Sequence, residues 1–261
     1  MPVRNRSWVS VVDLDLRGKR ALITGSSRGI GRAIAAAFAG EGARICMNGR
    51  DRTALDTAAA SLGAAQSAGD LSEEETARRV VTEAIRALGG LDLLVCNVGN
   101  GTSVPPGEED EAEMTRMLRL NLGSAANAVR AARPHLATGQ DAAVVCISSI
   151  AGHASIGAPT GYTAAKAALN SYVASMARPL ASDGIRINAI SPGNIHFEGG
   201  AWWRRQRDNP SGVAAMLETA VPLRRFGRTQ EIADLACFLA SPRAAFITGA
   251  VIVADGGQLV G

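Results

Sequence analysis

Short apolar runs alternate with longer stretches whose apolar residues recur every three or four positions, almost from one end of the chain to the other. The runs at 21–24, 44–47, 64–68, 91–96, 142–148, 185–190 and 250–254 read as strands. They read as near-continuous apolar runs, as expected of parallel strands covered on both faces. Helices are predicted between them over 29–41, 53–61, 71–88, 109–135, 160–182 and 230–240. In the third, Ser72 is the expected N-cap, with Glu73, Glu74 and Glu75 in the first turn. Pro134 should end or kink the fourth. Alternation of this kind with right-handed crossovers gives an α/β fold, a doubly wound parallel sheet of about seven strands with helices on both faces.

The pattern fails between Pro192 and Leu223, a stretch rich in Gly, Trp, Arg and Asn in which no strand is expected. A long irregular insertion in a compact domain is usually functional, and residues 194–222 are read as a substrate lid. No repeat, low-complexity tract or linker divides the chain, so residues 1–261 form one domain with an irregular N-terminal tail at 1–17.

Composition narrows the function classes. Hydrophobic residues make up 47% and charged residues 20%, enough apolar material for a sizeable core. The net charge of +3 comes from 27 basic and 24 acidic residues of mixed order. The two arginine clusters, Arg204–Arg205–Arg207 and Arg224–Arg225–Arg228, read as solvated loop faces, and no nucleic-acid partner is expected. No stretch approaches a membrane span, residues 1–17 lack a continuous apolar core, and a cytoplasmic protein is the expectation. The four cysteines lie in apolar runs without metal-ligand spacing, so buried reduced thiols and no metal site are expected. Only two of the basic residues are lysines, Lys19 and Lys166, and only Tyr162 and Tyr172 are tyrosines. Where arginine is the default cation, a surviving lysine hints that an ammonium is wanted. Lys19, before the first strand, is read as a surface residue that survived by chance.

Two motifs carry chemistry. Thr24-Gly25-Ser26-Ser27-Arg28-Gly29-Ile30-Gly31 lies between the first strand and the first helix. Glycines there let the backbone approach a pyrophosphate, and the helix start offers free N–H groups and its positive end. Tyr162 and Lys166 stand four apart at the start of a predicted helix, one turn from each other on one face. A phenol with a pKa of about 10 is a poor proton shuttle at neutral pH, and a nearby ammonium favours its ionised form.

In these motifs the chain resembles the short-chain dehydrogenase/reductase family, over residues 16–257, with overall likeness nearest to bacterial 3-oxoacyl-carrier-protein-reductase-like enzymes. Thr24, Gly25, Gly29 and Gly31 match the family's Thr-Gly-x-x-x-Gly-x-Gly. The resemblance implies a Rossmann fold and a catalytic tetrad of Asn121, Ser149, Tyr162 and Lys166. In it Tyr162 is the general acid/base, Ser149 (thirteen residues earlier) bonds the substrate oxygen, and Asn121 forms a kinked turn whose carbonyl holds a water bonded to the lysine. Ser148 is left as a local backbone partner. The resemblance further assigns cofactor contacts to Gly25, Ser27, Arg28, Gly29, Ile30, Gly31, Arg50, Asp70, Leu71, Asn97, Gly99, Tyr162, Lys166, Pro192, Gly193 and Ile195. Asp70 would bond the adenine. Gly49 stands where an acid would select NAD, while Arg28 and Arg50 can meet an extra phosphate, so NADP(H) is the expected cofactor.

Departures are Cys96 and Val98 around Asn97, and Phe197 where the family often has a threonine that bonds the nicotinamide amide. Trp202 and Trp203 can cover a substrate or pack the lid onto its own domain or a neighbour; His153 and His196 are second-rank or surface groups beside the crevice. The expected reaction moves hydride between NADP(H) and a small-molecule carbonyl/alcohol substrate. The substrate is a 3-oxoacyl thioester or, alternatively, a sugar or nucleotide sugar; an NADP(H)-binding regulator without turnover is the reading from another class. A homotetramer or homodimer is expected, with Ala164, Ala165, Ala167 and Ala168 allowing close helix approach.

Overall fold

The computed structural model describes residues 13–260. Seven strands form one parallel sheet: β1 (Arg20–Ile23), β2 (Arg44–Gly49), β3 (Ala65–Ala68), β4 (Leu93–Cys96), β5 (Ala143–Ile147), β6 (Arg186–Pro192) and, last in the chain, β9 (Val251–Ala254). Their order is β3-β2-β1-β4-β5-β6-β9. The chain steps outward from β1 to β3 and then returns to β4 on the other side of β1, which opens a crevice above the carboxyl ends of β1 and β4.

The helices lie where the apolar pattern requires. Ala21, Ile23, Ile45, Met47, Val95 and Val145 face one layer, built by α1 (Gly29–Gly40), α2 (Arg52–Ala60) and α9 (Thr229–Ala240). The intervening Leu22, Cys46, Leu94, Val144 and Cys146 face the other, built by α3 (Glu74–Leu88), α5 (Ser124–Leu136) and α6 (Thr160–Ala181). Both faces are thus covered, which explains runs that do not alternate. The four cysteines are free and buried. No described helix is long and apolar enough to cross a membrane, and among the described residues no cluster of ligands could hold a metal ion.

Several expectations need correction. The long fourth helix is two: α4 (Glu111–Leu118) and α5 are joined by a π-helical turn, Arg119–Gly123, and Pro134 sits inside α5, which ends two residues later. Ser72 is not an N-cap; Glu73 holds that position without a side-chain bond, and Asp70 accepts from the Ser72 N–H at 3.0 Å. Lys19 is not a surface residue. It is 7% exposed and its Nζ meets Asp141 at 2.7 Å and the Gln140 carbonyl at 2.8 Å. The stretch 194–222 is not irregular either. It holds a two-residue strand β7 (Ile195–His196), α7 (Ala201–Asp208) and α8 (Pro210–Ala220). β7 pairs in parallel with β8 (Gly227–Arg228). Of the tail, residues 1–12 lie outside the described part; residues 13–17 have no regular structure, yet Leu16 is fully buried in the core.

The amino edge of the sheet is a network of paired charges. Asp92, just before β4, accepts from the Arg20 backbone N–H at 2.8 Å, from Arg20 Nε and Nη2 at 2.8 and 2.7 Å, and from the Gln140 N–H at 2.8 Å. Burial works to raise its carboxyl, but these donors outweigh it and hold it at about 2.

Candidate active site

The glycine-rich turn follows β1 as its sequence requires. Gly25 and Gly29 both have φ of +59°, a region closed to most side chains, so the turn cannot form without them. Gly31 answers a different demand: a Cβ there would lie 2.4 Å from both Asn97 Nδ2 and the Gly25 carbonyl oxygen. Side chains beneath the turn hold it in shape. Asn97 donates to the carbonyls of Thr24 and Gly25 at 3.2 and 2.8 Å. Buried Ser26 donates to Ile23 O at 2.8 Å. Asn48, at the end of β2, accepts from the Gly25 N–H and donates to the carbonyls of Ser67 and Gly69. Asn97 therefore shapes the cradle rather than offering its amide to a ligand. Asn48 was missed from sequence, although a lone Asn ending an apolar strand was the visible signal.

Around the cradle, Ser27 reaches toward Gly49, where a Cβ would meet its hydroxyl at 3.3 Å. Arg28 is exposed at the N-cap of α1 and makes no ion pair among the described residues. Ile30 is half-buried against the core. Arg50 and Asp70 meet each other at 3.3 Å, the arginine well exposed. Leu71 is buried with its carbonyl taken by Asn127, so its side chain packs. Pro192 ends β6 and Gly193 follows it; Gly193 donates to Ala254 O and lies so close to Asp255 that a Cβ would reach 2.7 Å from its Cα. Ile195 is buried opposite Gly227.

The four residues expected to form the tetrad come from three elements, the π-helical turn, the 3-10 turn after β5 and α6, and converge. Lys166 is 3% exposed and donates to the Ile147 carbonyl, the last of β5, at 2.9 Å. Its Nζ lies 5.8 Å from the centroid of the Tyr162 ring. Asn121 is fully buried in the π-helical turn; it accepts from the Asn100 N–H at 3.0 Å and donates to the carbonyls of Asn100 and Met117 at 3.1 Å each. Gly99 lies between them: a Cβ there would be 2.8 Å from Asn121 Oδ1 and 3.0 Å from Lys166 Nζ. Its missing side chain is what lets the asparagine and the lysine approach. Ser149 caps the 3-10 turn Ile150–Gly152, accepting from the Ala151 N–H at 3.2 Å.

The electrostatics follow from burial. Tyr162 is raised above its usual value by loss of water, while the Ser149 hydroxyl acts in the opposite direction. Lys166 is lowered to about 8, chiefly because burial disfavours the ammonium. Ser148 bonds Asn170 Oδ1 at 2.5 Å and the Lys166 carbonyl at 3.4 Å, in keeping with a local structural role. His153 is exposed and its Nε2 lies 2.9 Å from Ser191 Oγ.

Residues 194–222 pack partly on themselves and partly on neighbouring elements. Trp202 meets Phe226 at 5.6 Å with the rings tilted by 50°, Arg205 lies over the Trp202 ring at 4.9 Å, and Arg207 lies 4.6 Å over Trp203. His196 also meets Phe226, at 5.2 Å. Of the alternatives for the tryptophans, this arrangement has Trp202 joined to its own domain. The Phe197 ring lies on the glycine-rich turn, where a Cβ at Gly29 would come within 2.7 Å of it.

Comparison with known proteins agrees with this fold. A family model described as enoyl-(acyl carrier protein) reductase matches residues 25–258. The chain is 34% identical over 249 residues to glucose 1-dehydrogenase of Gluconobacter oxydans, covering 92% of this chain and 91% of that protein. It is 33% identical over 251 residues to galactitol 2-dehydrogenase (L-tagatose-forming) of Cereibacter sphaeroides, covering 94% and 96%. Among solved structures, L-sorbose reductase from Gluconobacter frateurii, complexed with NADPH and L-sorbose, superposes with a TM-score of 0.89 at 31% identity, covering 95% and 98%.

Proposed function

The chain belongs to the short-chain dehydrogenase/reductase family, and from that premise we propose that it moves hydride between NADP(H) and a small carbonyl/secondary alcohol pair. The observation that carries this reading is the convergence of Asn121, Ser149, Tyr162 and Lys166 on one point. The carboxyl end of β4 links that point to the phosphate cradle, since Asn97 holds the glycine turn and Gly99 touches the lysine.

When bound, the nicotinamide supplies the hydride to a carbonyl carbon or takes it from an alcohol. Tyr162 gives the substrate oxygen its proton in reduction and removes it in oxidation. Its raised pKa keeps the phenol protonated, as reduction needs. Ser149 donates to the same oxygen and stabilises charge developing there. The Lys166 ammonium, held by Ile147 O, draws the phenol toward ionisation against the effect of burial. The glycine turn, the open start of α1 and the unpaired Arg28 would hold the cofactor phosphates. The absence of an acid at Gly49, with Arg28 and Arg50 close by, favours NADP(H).

For the substrate, a keto-sugar or polyol pair is supported best, because relatives across the whole chain are named for glucose, galactitol and L-sorbose. A 3-oxoacyl thioester is the second reading, supported by the description of the matching family model. Residues 194–222 serve as the lid over this substrate, and the assembly is a homodimer or homotetramer, which native mass measurement tests. Four unpaired, buried cysteines fit a reducing compartment such as the cytoplasm.

The deciding experiment is oxidation of NADPH and NADH with keto-sugars, simple ketones and 3-oxoacyl thioesters, with Tyr162→Phe as control. NADPH-selective turnover that the substitution abolishes is the expected result. Tight NADPH binding without turnover of any carbonyl would overturn the catalytic reading.

A further inference from the structure

Helix α6 carries both Tyr162 and Lys166, yet it begins without a cap of its own. Pro159 occupies the N-cap position and has no side-chain hydrogen bond to give. The first N–H groups of a helix need partners. Here they find one from 51 residues away: Glu109 Oε1 accepts from the N–H of Thr160 at 2.8 Å, and the Gly161 N–H reaches it at 3.3 Å. The other carboxylate oxygen accepts from the Gly107 N–H at 2.8 Å. Tyr162 is the next residue along the helix.

Glu109 also lies near the end of a segment with no helix or strand that runs from Asn97 to Asp110. Near its start it is clamped by the buried Asn121, which bonds both the N–H and the carbonyl of Asn100. Just beyond that clamp it passes the Tyr162 ring: a Cβ at Gly101 would lie 3.6 Å from three of the ring carbons. One loop is therefore tied to Asn121 near its start and to the first turn of α6 near its end, and passes the phenol at Gly101.

We propose that Glu109 is a positioning residue for Tyr162, its carboxylate closing the first turn of α6 from outside the helix and clamping the 100–109 loop against the phenol. Two effects follow. The ring is held at one depth, which preserves the burial that keeps it protonated. A negative charge also sits at the positive end of the helix and offsets its pull on the phenol. Loss of water works to raise the Glu109 carboxyl, but its backbone donors outweigh that and hold it below the usual carboxylate value, so it is charged at neutral pH. The other groups facing Tyr162 are Lys166 on α6 and the Ser149 hydroxyl. Beside the loop, Glu113 and Arg116 on α4 pair with each other at 2.6 Å, while Glu108 and Asp110 flank Glu109 in sequence.

The inference rests on Tyr162 being the acid/base, but its test need not. The chain has only two tyrosines, so carbon-13 labelling of the phenol carbons gives two signals, and Tyr172→Phe identifies that of Tyr162. In Glu109→Ala the Tyr162 titration midpoint should fall, its ionisation constant rising about two- to fivefold from the lost charge alone and more as water enters. In Glu109→Gln the amide oxygen still accepts from Thr160 and Gly161 but the amide nitrogen cannot accept from Gly107, so the lost charge and the lost loop bond should give a smaller fall than Glu109→Ala. In turnover, Glu109→Ala should lose about tenfold or more of kcat through misplacement, with the NADPH dissociation constant nearly unchanged, and Glu109→Gln should recover most of it. An unmoved Tyr162 midpoint in Glu109→Ala, or wild-type kcat in that variant, overturns the proposal. Should Glu109→Ala fail to fold, the midpoint in Glu109→Gln decides. Should the wild type reduce no carbonyl, the proposed function fails while the titration still decides the role of Glu109.

Discussion

Asp92 and Lys166 lie at opposite edges of the same sheet, and burial treats them differently. At the amino edge Asp92 is met by four donors, and its carboxyl sits at about 2 despite its enclosure. Lys19 there is matched with Asp141, and Arg186 with the carbonyls of Leu239, Ala240 and Ser241. At the carboxyl edge Lys166 has one neutral carbonyl for company and is lowered to about 8. Tyr162 is pushed up nearby. Charges at the amino edge are compensated and serve stability. At the carboxyl edge Lys166 is left near the point of losing its proton while Tyr162 is held protonated, an arrangement suited to a proton donor.

Substitutions should separate the two edges. The largest effect belongs to Tyr162→Phe, which should cut kcat by about a thousandfold or more while leaving the NADPH dissociation constant within a small factor, read by cofactor fluorescence. Lys166→Met should cost about a hundredfold in kcat. In the wild type the lysine is charged below about 8 and neutral above it, so the rate of reduction should hold at lower pH and decline as pH rises through that value. A rate that rises instead would mean the ammonium does not support the reaction.

At the other edge, Asp92→Asn should lower unfolding free energy by about 2–3 kcal/mol in urea titration, because Arg20 is left without its counter-charge, and should leave kcat unchanged. The sign with pH is fixed by the lowered carboxyl. Its contribution is full above about 4, the unfolded value, and is lost as pH falls through about 2. The smallest effect is expected from replacing Arg28 and Arg50 by serine: NADPH should lose about tenfold in KM, with NADH unaffected. An equal loss for both would show that the arginines hold something other than the extra phosphate.

The sheet was legible because parallel strands enclosed on both sides are largely apolar, as Ala142–Ile147 is, although Arg186 and Asn188 interrupt 185–190. Tyr162 and Lys166 stood out because they belong to residue types this chain almost never uses, whereas Ser149 and Asn121 were named only by the family resemblance. Other features left weaker marks. No residue of α7 is buried, so it has no apolar stripe to betray it. Lys19 looked like a surface residue because its partner Asp141 lies 122 positions away. The break in the long helix had a local sign, the buried Asn121, but the π-helical turn comes from what that side chain bonds across space. Glu109 reads as an ordinary acid near a helix start, and its partners at Thr160 and Gly161 cannot be inferred from spacing.

The enclosure of both lysines has a practical consequence. A reagent that acylates primary amines finds no exposed lysine side chain on this protein, since one is 7% exposed in an ion pair and the other 3% exposed in the site. Coupling to a resin through lysine should fail unless the fold opens. The slow appearance of label on Lys166, followed by peptide mass, would then act as a clock for the breathing of the crevice, and a bound cofactor should slow that clock.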